Sequence, residues 1–312
     1  MNLNMLLGAC SQGLLFGVMA IGILISFRFL NFADLTVEGS FTLGAAVAAQ
    51  LIVSGNDPIM STLIAMAAGI LAGMTTAFFH TVLQIPPLLS GILTMTGVYS
   101  INLRIMGSAN IPLLRGTDTL FIRMSGLLNS NERLAGFLTG YVRNVSGILV
   151  ALIFLAVLIV ILWWFFNTEI GYALRATGNN EQMVKAQGVN TGLMKLIGLG
   201  IGNGCVALSG ALVAQFGGFA DVSMGVGVIV IGLASVIIGE VFFKDSNNHR
   251  IFYAVVLGSI IYRVIIALVL ALGLNPNDFR LISAILLAIA LSLPVIREKL
   301  NINLKKLTLG RT

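Results

Sequence analysis

The stretch Val145-Ser146-Gly147-Ile148-Leu149-Val150-Ala151-Leu152-Ile153-Phe154-Leu155-Ala156-Val157-Leu158-Ile159-Val160-Ile161-Leu162-Trp163-Trp164-Phe165-Phe166-Asn167 carries no charge and is almost wholly aliphatic or aromatic. An α-helix needs about 20 such residues to cross a bilayer core of ~30 Å. Hydrocarbon offers no partner to backbone N–H and C=O groups, so a run of this length reads as a membrane-spanning helix. The rest of the chain is of the same kind. Of its 312 residues 57% are hydrophobic and 10% charged, against about 25% charged in soluble domains. Strand-like alternation of polar and apolar residues is absent, which argues against a β-barrel. The expected fold is all-α, a polytopic bundle of about 8–10 spans forming one transmembrane domain over residues 1–312.

Read by apolar length, the spans fall near Met5–Ser26, Gly39–Val53, Ile59–Thr81, Leu88–Leu103, Val145–Asn167, Leu196–Phe216, Val222–Phe242, Ile251–Leu272 and Leu281–Val295. The first has no basic residues before it and is followed by more membrane-grade segments, so it reads as a mature helix rather than a secretory signal. Before the second lies the polar break Arg28-Phe29-Leu30-Asn31-Phe32-Ala33-Asp34-Leu35-Thr36-Val37-Glu38. Lipid does not tolerate such a segment, which points to a re-entrant or unwound piece lining a protein cavity. Asn110–Arg143 and Gly171–Asn190 are the two sizeable loops.

The net charge of +6 sits at membrane-flanking ends, where it sets orientation rather than attracting nucleic acid. Arg297, Lys299, Lys305, Lys306 and Arg311 make the tail basic, and Arg175, Lys185, Lys195, Lys244 and Arg250 lie in short connections. Both sets are expected in the cytoplasm. Counting back from the tail puts Leu274–Asp278 outside, Lys244–Arg250 inside, Gly217–Asp221 outside and Gly171–Asn190 inside. Cys10 and Cys205 stand in apolar helices, so neither a disulfide framework nor a metal cluster is expected.

The inside loop runs Glu169-Ile170-Gly171-Tyr172-Ala173-Leu174-Arg175-Ala176-Thr177-Gly178-Asn179-Asn180-Glu181-Gln182-Met183-Val184-Lys185-Ala186-Gln187-Gly188-Val189-Asn190. Asn179 fits an N-cap with Gln182 three residues on, Glu181 suits the positive helix start, and Gly188 fits a left-handed stop. That describes a helix of about two turns, too short to be stable alone in water. A short helix protruding between spans fits docking into another subunit, or else a partnerless interfacial connector.

The run Gly171–Asn190 resembles the coupling loop of permeases of the branched-chain amino acid, ribose and nucleoside ABC-importer family. That pattern is similar to G-x-A-L-R-A-x-G-x-N-x-x-x-A-x-x-x-G, with Val184 here in the place of its second-turn alanine. Leu30–Gly39 with Phe41-Thr42-Leu43-Gly44-Ala45 resembles the family's second helix. Together with Pro86–Gly97 and Ile101–Gly107, the likeness is strongest to the tryptophan/tyrosine importer subgroup and covers nearly the whole chain. It implies a permease working as a dimer in the bacterial cell membrane, driven by a cytoplasmic pair of ABC ATPases and fed by an external binding protein. Arg175, Asn179, Asn180, Glu181, Met183, Val184, Ala186 and Gly188 would then couple to the ATPase. The chain has no G-x-x-x-x-G-K-[ST] of its own, so ATP is expected on a separate chain and no cofactor on this one.

Among the remaining polar residues, Glu240 and Lys244 have the spacing of a helical ion pair. His80 lies beside Phe78 and Phe79 with no metal-ligand spacing around it, and His249 belongs to a polar loop. Gly198–Gly204 reads as a packing face, since no strand precedes it to make a nucleotide fingerprint. Asp34 and Glu38 share a helical face, and Arg263 falls near the middle of its span. Ionisable groups at that depth are paired or functional, so the three are expected to form a buried ion pair or to line the path. A proton- or sodium-coupled secondary transporter is the alternative function, with these acids as ion sites. An enzyme is less consistent still, because no nucleophile, base and orienter stand together.

Overall fold

The computed structural model describes residues 3–113, 117–130, 140–242 and 250–272, together with positions 281, 284, 285, 287, 288 and 292. The tail from Arg297, Lys244, His249, the turn at 274–278 and most of the ninth expected span lie outside the described residues.

The bundle is helical, as expected. In chain order it comprises α1 (Leu3–Ile23), α2 (Thr36–Val53), α3 (Pro58–Thr81), α4 (Pro87–Met106), β1 (Asn110–Pro112), α5 (Leu120–Asn129) and α6 (Val142–Phe166). There follow α7 (Glu169–Asn179), α8 (Glu181–Ala186), α9 (Thr191–Gly217), β2 (Phe219–Asp221), α10 (Val228–Phe242) and α11 (Arg250–Ala271). Seven of these helices are long and apolar enough to cross a membrane: α1 with the π-helical turn Leu24–Phe29 that extends it, α2, α3, α4, α6, α9 and α11. The expected span Val222–Phe242 is corrected. Residues 222–227 form turns, and only Val228–Phe242 is helical. At about 1.5 Å per residue those 15 residues reach ~22 Å, short of a full crossing.

Helices α1 and α9 form the centre and pack against each other, α2 and α3 lie on α9, and α10 and α11 lie on α1. Close approach is secured by missing side chains. A Cβ at Gly22 of α1 would stand 2.3 Å from the carbonyl oxygen of Gly202 on α9, and one at Gly73 of α3 2.1 Å from that of Leu199. Without a hydrophobic force between helices in lipid, such backbone proximity supplies the van der Waals contact that holds a bundle together.

The two halves repeat one plan in opposite directions. A long helix (α1 or α9) ends, the chain returns into the bundle without regular structure (30–35 or 222–227), and a shorter helix (α2 or α10) restarts inside. The first return begins against α7, where Gly178 packs on the Phe29 carbonyl and Leu30. The second follows the antiparallel pair β1–β2 at the opposite end, with Ile111 opposite Ala220. That opposite end also carries the ion pairs of Arg123 with Asp57 (2.6 Å) and Asp118 (2.7 Å), which tie α5 to the start of α3.

Candidate functional site

The restart of α2 is fixed by Asp34. Its carboxylate is fully buried and accepts from the backbone N–H of Thr36 (2.9 Å) and the side-chain amide of Asn203 (2.6 Å). Asn203 in turn accepts from Ser40 (2.7 Å), and Thr36 meets Thr76 of α3 (2.6 Å). Asn203 stands about 18 Å along α9 from Thr191 at ~1.5 Å per residue, so this polar cluster lies in the middle of the bundle. A helix that begins at such depth leaves N–H groups without water, and the carboxylate both accepts from one and opposes the positive helix end.

One turn later, Glu38 receives the second return. Its Oε1 accepts from the N–H of Gly227 at 2.9 Å, and Thr42 Oγ1 accepts from Gly225 at 3.0 Å. Only glycine fits at 225, because a Cβ there would stand 1.9 Å from the Glu38 carbonyl oxygen. The two broken segments therefore meet on α2. Beside the junction lies a cavity of about 250 Å³ between α2, α4 and the second return, walled by Glu38, Thr42, Met95, Tyr99, Asn102 and Val226 among others.

The hydrogen bonds of Asp34 go to polar neighbours rather than to Arg263. Asp34 takes Asn203 and Thr36, Glu38 takes Gly227, and the Arg263 guanidinium lies 3.8 Å above the ring centre of Phe16, which stacks on Phe41. A desolvated guanidinium over an aromatic face gains about 2 kcal/mol, which offsets part of the cost of its depth. Glu240 pairs with Arg28 across 2.8 Å, off the line of a hydrogen bond.

At the α7–α8 end, the sequence-derived helix is shifted by one residue. Asn179 closes α7, and Asn180 is the N-cap of α8, its side chain accepting from Met183 N at 3.0 Å. The φ of −152° at Asn180 separates two helices where one was expected. Gly188 has φ +83°, the left-handed stop anticipated for it. Asn179, Asn180, Met183, Ala186 and Gly188 are exposed, whereas Val184 is buried. Arg175 turns inward: it donates to the Phe166 carbonyl at 2.7 Å and lies over the rings of Tyr172, Phe166 and Phe29.

Glu181 faces the bundle as well, 2.8 Å from Lys195 of α9 and 2.9 Å from Lys185. Partial burial pushes its carboxyl up, but the two ammonium groups outweigh that and hold it at about 2, below its ordinary 4.5. A lowered acid stabilises above its unfolded value, so this tie is complete above about pH 4.5 and weakens as pH falls toward 2. Lys195 also reaches His80 Nε2 at 3.1 Å, while His80 Nδ1 faces the Ile85 carbonyl at 2.8 Å. The carbonyl can only accept, which assigns the ring proton to Nδ1. The His80 ring packs edge-to-face with that of Phe32, two residues before Asp34.

A family model described as the permease component of branched-chain amino acid transport systems matches residues 5–291. The chain belongs to this permease family. It is 39% identical to a tyrosine transport system permease protein of Clostridioides difficile, with 96% of this chain aligned to 94% of that one. An uncharacterized protein of Rickettsia prowazekii is 34% identical over 93% of this permease and 98% of its own length. The galactose/methyl galactoside import permease of Escherichia coli is 27% identical over 83% and 77% of the two chains. No solved structure matches. The protein is thus an ABC-importer permease, the reading its coupling loop suggested.

Sequence reasoning passed over two buried amides of this permease's interior. Asn203 was read as part of a glycine packing face, and Asn102 entered only within the Ile101–Gly107 run that carries the family likeness. The signal was present, since an amide inside an apolar helix needs a partner as much as a charge does.

Proposed function

We propose that the permease carries a small solute, an aromatic amino acid, along the path beside α2 and α4, with a second copy of itself completing that path. A cytoplasmic ABC ATPase pair binds α7 and α8, and an external binding protein docks at the opposite end. The observation that carries this reading is the meeting of two helix breaks at Glu38 and Gly227 beside a cavity in mid-bundle. Solute sites of transporters are built from such discontinuous helices. The amino-acid assignment leans on the tyrosine transport relative. ATP-driven uptake into vesicles that contain the permease with a partner ATPase and binding protein tests the proposal. Uptake driven by a proton or sodium gradient without ATP would instead favour a secondary transporter.

Orientation gives a direct check. With the coupling loop and the basic tail both cytoplasmic, single cysteines replacing Asn180 and Asn301 should resist an impermeant thiol reagent outside intact cells and react in inverted vesicles. Labelling from outside would reverse the assignment.

The ATPase contact has its own variant. Nothing lies within 4 Å of a Cβ placed at Gly188, so the first atom of a side chain there meets open space and a substitution acts chiefly through φ +83°. A left-handed conformation costs an L residue about 1–2 kcal/mol, more when β-branched. Gly188→Val should leave insertion intact while substrate-stimulated ATP hydrolysis and uptake fall roughly tenfold, the factor that 1.4 kcal/mol represents. Normal stimulation would remove α8 from the coupling role.

A further inference from the structure

A row of polar side chains leads from α8 to the starts of both helices that wall the cavity. Glu181 opens α8, and its carboxylate is held by Thr191 (3.2 Å) and Lys195 (2.8 Å) of α9. The Lys195 side chain is 12% exposed, so its ammonium depends on protein acceptors, and the second of these is His80 Nε2 at the end of α3, 3.1 Å away. His80 then branches. Its Nδ1 donates to the Ile85 carbonyl at 2.8 Å, just before the Pro86 N-cap of α4. Its ring meets that of Phe32 with centres 5.2 Å apart, in the return that leads to Asp34 and α2. A neutral imidazole suits this branch point because one nitrogen accepts while the other donates.

The backbone is unusual at both ends of the branch. Asn31 (φ +51°) and Gln84 (φ +55°) are the non-glycine residues with positive φ among the described residues. Asn31 adjoins Phe32, and Gln84 adjoins Ile85. A left-handed conformation is costly for an L residue and persists where surrounding contacts impose it, and such positions concentrate in segments that switch. A few residues at the end of an element are also what absorbs the dihedral change when a helix swings.

We infer that Lys195 and His80 are positioning residues that convey the placement of α8 to the starts of α2 and α4, so that the ATPase contact sets the opening between those two helices. The inference rests on the permease reading and adds the route by which α8 acts on the path. Lys195 holds Glu181 and His80 together only while α8 lies against α9. When α8 shifts with the ATPase, the ammonium keeps one acceptor and leaves the other, and the Ile85 and Phe32 contacts lose their anchor. Two discrete arrangements of one polar contact are the kind of element through which distant sites are coupled.

Lys195→Met keeps the apolar stem and removes the ammonium, while Lys185 still pairs with Glu181 at 2.9 Å. The full-length permease is assembled in vesicles with a partner ATPase and binding protein, and tyrosine uptake and ATP hydrolysis are measured per assembled complex. Lys195→Met should lower the tyrosine moved per ATP about fivefold or more, within the range by which single residues alter coupling. The loss should fall on the maximal uptake rate, with the half-saturating tyrosine concentration unchanged within about a factor of two. His80→Phe, which keeps a ring against Phe32 but accepts nothing from Lys195, should do the same. The double variant should be no worse than either alone, since both cut one route. Lys195→Arg, which can donate to both acceptors, should recover at least half of the ratio. An unchanged ratio in an assembled Lys195→Met or His80→Phe protein overturns the inference, as do multiplying losses in the double variant or an arginine that recovers nothing. Loss confined to yield and melting, or failure of both single variants to assemble, marks a scaffold tie and overturns it too. The permease reading fails separately, in the unsubstituted chain, through absence of ATP-driven uptake with the partner proteins present.

Discussion

Gly44→Ala is expected to abolish most of the assembled permease, although it adds a single methyl group. A Cβ at that position would stand 1.9 Å from the Ala207 carbonyl oxygen and 2.5 Å from its carbonyl carbon. Overpacking usually costs about 1–3 kcal/mol when side chains can give way. Here the obstacle is the backbone of α9, so α2 must move off by more than an ångström, and the hydrogen bonds of Asp34 and Ser40 to Asn203 move with it. The cost is placed at or above the top of that range. The matched control is Gly97→Ala on α4, where an added Cβ meets nothing within 4 Å. Detergent-solubilised yield and thermal melting of the two variants make the comparison. Equal stability of both would mean that the α2–α9 contact is looser than the geometry shows.

The same contact marks how far sequence carries in this protein. Apolar length located the membrane helices because hydrocarbon imposes one rule, that backbone groups be satisfied internally over about 20 residues. It failed at Val222–Phe242 for the same reason: Val222, Met224, Val226 and Val228 are as apolar as any helix. The turns there come from Gly225, required by close approach to Glu38, and Gly227 at φ +83°. A glycine pattern alone does not separate a kink from a packing face. Gly188 was legible because its stop is local. Asn180 was displaced by one residue because two adjacent asparagines satisfy the same capping rule, and only the packing of α7 against Phe29 and Leu30 chooses between them. The partner of Asp34 was misread because charge drew attention to Arg263. At this depth an amide N–H serves a carboxylate with less desolvation than a second ion would cost.

Asp34→Ala is expected to lose assembled protein, whereas Asp34→Asn is expected to keep both assembly and uptake within about a factor of three. Alanine leaves the Thr36 N–H without its acceptor in a fully buried site and removes one of two acceptors of the Asn203 amide, the other being the Leu199 carbonyl at 3.0 Å. Each orphaned group costs about 1–3 kcal/mol, a large part of the stability of a typical domain. Asparagine retains an oxygen for Thr36. Its NH₂ can donate to the Asn203 oxygen if that amide turns over, with Asn203 then donating to Ser40, so the cluster keeps these hydrogen bonds without a charge and gives up only the contact of Asn203 with the Leu199 carbonyl. A group lining the path and meeting the solute as an anion would behave otherwise, since Asp34→Asn would assemble normally and lose uptake. The double variant Asp34→Ala/Asn203→Ala separates the two roles from the other side. If Asp34 serves to cap α2 through Asn203, the double variant should be less destabilised than the sum of the single ones by about 0.5–3 kcal/mol, the coupling seen between residues in one hydrogen-bonded cluster. Strict additivity of melting shifts, or uptake lost in a well-assembled Asp34→Asn protein, would move Asp34 from the scaffold of the break into the path itself.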